Sequence, residues 1–369
     1  MDIPLYRLHN QRLSTTTFTK PDEVVSWLGA VQAQDYAGAK WALAQRMMDT
    51  TDSALDRAFA DGSILRSHLL RPTWHFATPD DIRWLLQLTG PRVHAVNAFM
   101  YRQTGLDKAT FKKSYTVLEK SLHAGKQLTR TELAVALAKA GIVAEGVRLA
   151  CIMMSAELDG LLISGARRGK QFTYALLEER VPPVKALSRE EALAEMVKRY
   201  FKTRGPATLA DFTWWSGLTM ADARKGIELV KSEFTKEVIN GQEYWFSDSN
   251  LPKKAVSSRA YLLPNYDEYF IGFKDRTAIG VVARQANIPE YESALIGHVI
   301  VLNGQIVGGW RRTLRKKEVL VETSLIAKLG KEEKGLIDEA AERFGRFLEL
   351  PVSIIHKEFN NEQRTSRSF

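Results

Sequence analysis

The apolar positions of this chain follow one order three times over. Stretches at helical spacing are followed by a short break, another helical stretch, and two short alternating runs joined by a turn. The first round begins at Thr19, Lys20 and Pro21. Thr19 is suited to cap a helix, and Pro21 fits its first turn, where a missing N–H costs nothing. Val24, Trp27, Leu28 and Val31 then recur on one face. A second helix is predicted after Gly38 over 41–48, and a third, capped by Ser53, over 54–60, ending at Asp61 and Gly62. Residues 64–68 and 73–77 read as strands around a turn at Arg71 and Pro72.

The second round is longer. Pro79, Asp80 and Asp81 open a helix that Gly90 and Pro91 are expected to break. Further helices are predicted over 111–122, over 130–140 behind a capping box from Thr129 to Glu132, and over 147–158. Strands at 161–164 and 171–174 then flank a basic tip, 165–169. Pro182 and Pro183 mark a linker to the third round, which has a capping box from Ser188 to Glu191 and a helix running to Phe201. Helices over 209–215 and 220–230 follow, and then a hairpin whose Asn240-Gly241 pair supplies the positive φ angles of a type I′ turn. From about Ser258 the pattern turns to strands, over 261–264, 294–302 and 305–310, with a tight turn at Asn303-Gly304. A helix over 331–348 and a strand over 351–355 close the chain.

This order predicts an α+β fold of three tandem winged-helix units followed by a small β-rich, barrel-like C-terminal domain. The boundaries fall at 1–78, 79–183, 184–255 and 256–369. A chain of 369 residues is long enough for several such units. Its 52 basic against 43 acidic residues, a net charge of +9, suit a polyanionic partner where the excess sits on exposed hairpins. The single cysteine, Cys151, lies in an apolar run and reads as a core residue, and the seven histidines lack metal spacing. Neither a metal nor a cofactor is expected. No apolar run is long enough for a membrane span and the N-terminus has no export pattern, so a cytoplasmic, nucleoid-associated protein with no membrane contact is expected.

Four stretches, in chain order, carry a family resemblance. They are Val31-Gln32-Ala33-Gln34-Asp35-Tyr36 with Trp41-Ala42-Leu43-Ala44, Leu70-Arg71-Pro72-Thr73-Trp74-His75-Phe76, Leu263-Pro264-Asn265-Tyr266-Asp267-Glu268, and Val307-Gly308-Gly309-Trp310-Arg311-Arg312. Together they resemble the winged-helix DNA-binding family that includes the AlkZ and YcaQ DNA glycosylases. The resemblance implies removal of alkylated purines from DNA and, for AlkZ-like members, unhooking of interstrand crosslinks. It also implies an active-site tripeptide, Gln-x-Gln or Gln-x-Asp. Gln32-Ala33-Gln34 has the first form, the AlkZ type, although Ala33 is smaller than the bulky apolar residue expected between the glutamines.

On that reading Gln32 and Gln34 hold a water and the lesion-bearing deoxyribose. A glutamine amide has no accessible pKa and is no base, but its carbonyl oxygen can orient a water. Such a site suits a base that already carries positive charge and leaves neutral, an N7- or N3-alkylated purine. Asp35 either stabilises the positive sugar or caps a helix. Arg71 and His75 of the first wing are candidate DNA contacts, with a structural role open for His75, and Trp74 reads as core. Arg167, Arg168 and Lys170, held out by the glycine-flanked tip, are the best phosphate contacts. Arg311, Arg312, Arg315, Lys316 and Lys317 form the densest basic cluster, a second DNA-facing edge or a strand end kept soluble. Trp214 and Trp215 read as core. The expected partner is damaged double-stranded DNA with no obligate protein partner. No lysine stands out as a Schiff-base nucleophile, so strand cleavage is not expected. A transcription regulator and a non-catalytic DNA-binding protein are the competing classes.

Overall fold

The computed structural model describes residues 1–247, 258–285, 297–326 and 328–358. A short helix α1, Ile3–Asn10, precedes the first helix–hairpin segment. That segment comprises α2 (Pro21–Leu28), β1 (Val31–Gln32), α3 (Tyr36–Ala44), α4 (Asp52–Asp61), β2 (Leu65–Leu69) and β3 (Thr73–Ala77). The helix starts differ from expectation in their caps. Lys20 occupies the cap of α2, with the Glu23 carboxylate accepting from the Thr19 and Lys20 amides at 2.9 and 3.0 Å. Thr51, not Ser53, caps α4 through its hydroxyl.

The second segment has α5 (Pro79–Gln103), α6 (Lys108–Leu122), β4 (Leu128–Thr129), α7 (Arg130–Lys139), α8 (Gly146–Leu158), β5 (Leu162–Ser164) and β6 (Thr173–Leu176). The break expected at Gly90-Pro91 does not occur, and α5 runs on through Pro91 for 25 residues. Proline removes one backbone donor there, but Leu85, Leu86, Leu88 and Val93 are buried on both sides of it, so tertiary packing carries the helix across. Gly90 lets α5 lie close to the end of α8, since a Cβ there would come within 3.0 Å of the Leu158 carbonyl. The capping boxes at Thr129 and Ser188 form as expected.

After the short α9 (Leu177–Arg180) come α10 (Arg189–Arg204), α11 (Leu209–Ser216) and α12 (Met220–Val230). The hairpin of β7 (Thr235–Ile239) and β8 (Gln242–Phe246) ends the third segment, with Asn240 and Gly241 at φ 50° and 77°. A small sheet recurs in the first two segments. In each, a two-residue strand joins the hairpin, giving the orders β1-β3-β2 and β4-β6-β5. In the third, a bridge between Ala207 and Trp245 takes the corresponding place.

The C-terminal region departs from the barrel-like expectation. It is an open five-stranded sheet in which Ala260–Leu263, His298–Leu302, Gln305–Leu314 and Val319–Leu325 pair antiparallel in turn, and Val352–Glu358 adds in parallel at the far edge. The helix Lys331–Leu348 supplies the crossover to that parallel edge and packs on the sheet through Ile337, Ala341 and Phe344. The strand Val319–Leu325 was not anticipated, and residues 294–296 of the strand expected over 294–302 lie outside the described residues.

Apolar contacts cross the segments. Val31, Trp41, Phe59 and Phe76 share one cluster with Ile300, Trp310 and Phe344 of the C-terminal region. Leu65, Leu69 and Leu85 share another with Tyr200, Phe212 and Trp215. The close approach of α11 to the β2–β3 turn rests on Gly217. It has φ +71°, and a Cβ there would lie 2.3 Å from the Leu70 carbonyl oxygen. Gly217→Ala is therefore expected to lower stability by more than about 1 kcal/mol, read as a fall in the thermal unfolding midpoint.

Candidate active site

The tripeptide Gln32-Ala33-Gln34 lies where β1 leaves its sheet. Gln32 pairs with His75 across the ladder, and the Ala33 amide donates to the Trp74 carbonyl at 2.7 Å. Beyond it, Asp35 caps α3, its Oδ1 accepting from the Gly38 amide at 3.1 Å. The helix-cap reading of Asp35 thus holds, while its Oδ2 lies 3.8 Å from Arg312.

The two glutamines differ in setting. Gln32 is 7% exposed, and its Oε1 accepts from Arg71 Nη2 at 3.0 Å. Gln34 is exposed, with Oε1 3.4 Å from the Trp74 amide. Neutral amides and cations therefore meet at the strand end. Arg71 also spans to the Trp214 ring, 5.6 Å from its centroid, with Arg276 at 5.7 Å.

An acidic residue that sequence reasoning did not single out as a site residue, Glu268, holds this strand in place. The Gln32 amide donates to Glu268 Oε1 at 2.9 Å. Glu268 Oε2 accepts from Arg204 Nη2 at 2.7 Å and from Trp215 Nε1 at 3.0 Å, and both charged side chains are buried. Arg204 in turn donates to the Leu28 and Ala30 carbonyls just upstream of β1. Beside Glu268, Asp267 takes both terminal nitrogens of buried Arg46 at 2.9 Å. Both acids belong to the stretch at 263–268, so the signal was present, but nothing local tied it to residue 32, which lies 236 positions away.

His75 is fully buried and cannot serve as the phosphate contact considered from sequence. Its Nδ1 donates to the Thr73 carbonyl at 2.9 Å, while Nε2 is buried without a partner among the described residues. Burial first, then the charge on Arg71, push its pKa down to about 3, so it is neutral near pH 7. Trp74 is not a core residue. It is half-buried, with the His68 ring 4.3 Å away and the Arg66 guanidinium 4.3 Å over its face. The tryptophan pair divides, Trp215 at 1% exposure and Trp214 at 41%.

The basic candidates divide too. The second tip does not hold Arg167 out into solvent. Its side chain folds back over Tyr36 and Phe172, 4.9 and 5.3 Å from their centroids, and lies 3.5 Å from Asp56. Arg168 is exposed but bonded to Glu132 and the Gln127 carbonyl, whereas Lys170 is exposed. Arg311 and Arg312 lie on the hairpin formed by Gln305–Leu314 and Val319–Leu325, Arg311 exposed and Arg312 half-buried beside Asp35. On the same side, His298 rests against Trp310 at 4.8 Å and accepts the Asn265 amide on Nδ1 at 2.7 Å. Burial and then Arg312 lower its pKa to about 4.

A model of the family described as DNA glycosylase AlkZ-like matches residues 25–347, a span that holds both glutamines, the acid pair and the basic hairpin. The chain belongs to the AlkZ-like DNA glycosylase family. As an AlkZ-like glycosylase it is an enzyme that acts on DNA in repair. It is 24% identical over 318 residues to the interstrand DNA cross-link repair glycosylase of Streptomyces sahachiroi, covering 83% of this chain and 85% of that protein. The solved structure of the Streptomyces sahachiroi DNA glycosylase AlkZ has the same fold, with a TM-score of 0.79 and 22% identity over 96% of this chain and 98% of that one. Among the described residues of this AlkZ-like chain, no helix is long and apolar enough to cross a membrane.

Proposed function

We propose that this AlkZ-like glycosylase hydrolyses the N-glycosidic bond of cationic N7- or N3-alkylated purines in damaged double-stranded DNA without cutting the strand, and that it unhooks interstrand crosslinks held by such bonds. The observation that carries this reading is the placement of two neutral amides at one strand end, Gln32 bonded to the Arg71 cation and Gln34 exposed beside it in the chain's Gln-x-Gln tripeptide. Gln34, exposed, orients the attacking water, while Gln32 and Arg71 hold the sugar and its phosphate. The C1′–N9 electron pair leaves with the base, which becomes neutral. The water oxygen bonds to C1′ and its proton passes to solvent. The oxygen of Asp35 not engaged in capping lies on the side where the cationic sugar forms, and Arg312 restrains it.

The crosslink arm of the proposal is supported by the Streptomyces sahachiroi relative, an interstrand DNA cross-link repair glycosylase. The small sheets of the first two helix–hairpin segments, with the bridge in the corresponding place of the third, support reading them as tandem winged helices, over 1–78, 79–183 and 184–255, that line one side of a duplex. Arg311, Arg312 and Lys170 are then backbone contacts.

The test is base release from duplexes that carry N7-methylguanine, N3-methyladenine, uracil or hypoxanthine. Release is expected from the first two alone. Because His75 and His298 both stay neutral there, the rate should be flat from roughly pH 6 to 8. Release of uracil at a comparable rate would overturn the substrate class.

A further inference from the structure

We infer that Arg66 and Arg167, both held against the Phe172 ring, form a seat for one backbone phosphate of the lesion strand, next to Gln34. The Arg66 guanidinium carbon lies 4.5 Å from the Phe172 centroid and that of Arg167 5.3 Å. Arg66 is 7% exposed, and among the described residues only its Nε has an acceptor, the Ala33 carbonyl at 3.0 Å. That bond ties the guanidinium to the residue between the two glutamines, and the Trp74 ring centroid lies 4.3 Å from the guanidinium carbon.

A guanidinium this deeply buried is normally matched by a carboxylate, because leaving a desolvated charge unpaired costs several kcal/mol. Among the described residues, no carboxylate is hydrogen-bonded to Arg66. Glu157, whose charge is felt at Arg66, is held by His68 at 2.5 Å. Asp56, 3.5 Å from Arg167, already takes Lys40 at 3.0 Å and the Tyr36 hydroxyl at 2.7 Å. Burial lowers the Arg66 pKa only to about 10, so the side chain stays charged at neutral pH. Two cations held against one aromatic ring repel each other, and an anion within reach of both relieves that repulsion. The fork of Arg66 presents its two terminal nitrogens with geometry suited to two phosphate oxygens.

The assignment rests on the glycosylase reading for which strand is bound, and its test reads binding rather than catalysis. The probe is a duplex with a tetrahydrofuran abasic analogue, in which single methylphosphonates replace the phosphates of that strand one at a time. With the parent protein, one linkage beside the analogue is expected to weaken binding roughly tenfold when neutralised. Arg66→Gln should bind the unmodified duplex about tenfold more weakly, be insensitive to neutralisation at that linkage, and lower the slope of log K against log salt by about 1. Arg167→Gln, at a less buried position, should give the same pattern with smaller amplitude, which keeps the test open if Arg66→Gln does not fold. A linkage scan and salt slope unchanged in the variants that fold would overturn the seat. Base release by the parent from an N7-methylguanine duplex is measured alongside. Its failure would count against the proposed function, whereas release with an unchanged scan would count against the seat alone.

Discussion

Replacing both Gln32 and Gln34 with alanine is expected to abolish base release from N7-methylguanine duplexes, by at least roughly a hundredfold in the single-turnover rate, while duplex affinity changes little. The effect is large because the reaction as proposed has no acid or base to fall back on. The leaving base supplies its own charge, and the enzyme's contribution is the position of one water and the electrostatics around the sugar. The singles should differ. Gln34 is exposed and its carbonyl makes a long contact of 3.4 Å to the Trp74 amide, so Gln34→Ala should lose rate with the fold untouched. Gln32 is buried against Arg71 at 3.0 Å, so Gln32→Ala should lose rate and also loosen Arg71, with duplex affinity little changed. A double variant that still releases base at the parent rate would put the chemistry elsewhere.

The second large effect is expected far from the reacting atoms in sequence. Glu268→Gln should destabilise the protein by about 3–5 kcal/mol, on the order of 10 °C in unfolding midpoint, and suppress base release at temperatures where the variant is folded. Glu268 accepts from Arg204, Trp215 and the Gln32 amide at once. A glutamine there offers one oxygen where three donors converge, turns an NH2 group toward another donor, and strands the buried Arg204 charge. Pairing it with Arg204→Met should recover part of the stability, since both halves of the ion pair are then gone, but not the rate, because the Leu28 and Ala30 carbonyls lose their restraint. Calorimetry together with single-turnover kinetics separates the two. Parent-like stability in Glu268→Gln would show that the network is not under the load argued here.

What could be read from the chain was whatever local chemistry determines. Capping boxes at Thr129 and Ser188, the Asn240-Gly241 turn and the helix at Lys331–Leu348 depend on neighbours within a few residues, and all formed as expected. The resemblance supplied the tripeptide, and the structure brings it together with Arg71. The remaining misreadings have one cause, which is that they depend on contacts between distant parts of the chain. Pro91 was expected to stop a helix that tertiary packing sustains. His75 and Trp74 alternate on a strand as expected, but which face is enclosed depends on distant partners such as β1, and the histidine rather than the tryptophan ended up buried. Arg167 sits on a tip that reads as solvent-facing until Tyr36 and Phe172, brought from two other elements, offer it a surface to lie on.

The fastening of a two-residue strand by an acid 236 positions downstream has a consequence for how such proteins can be divided. A fragment ending before Ala260 keeps every glutamine and arginine of the first hairpin but has nothing to lock them in register. It should behave as a loose DNA binder without turnover, and supplying the missing portion as a separate polypeptide should restore release only where the two halves reassemble. Recombination among relatives would then have to exchange this enzyme nearly whole, because the glutamines proposed to act at the sugar and the acid that positions them lie 236 positions apart.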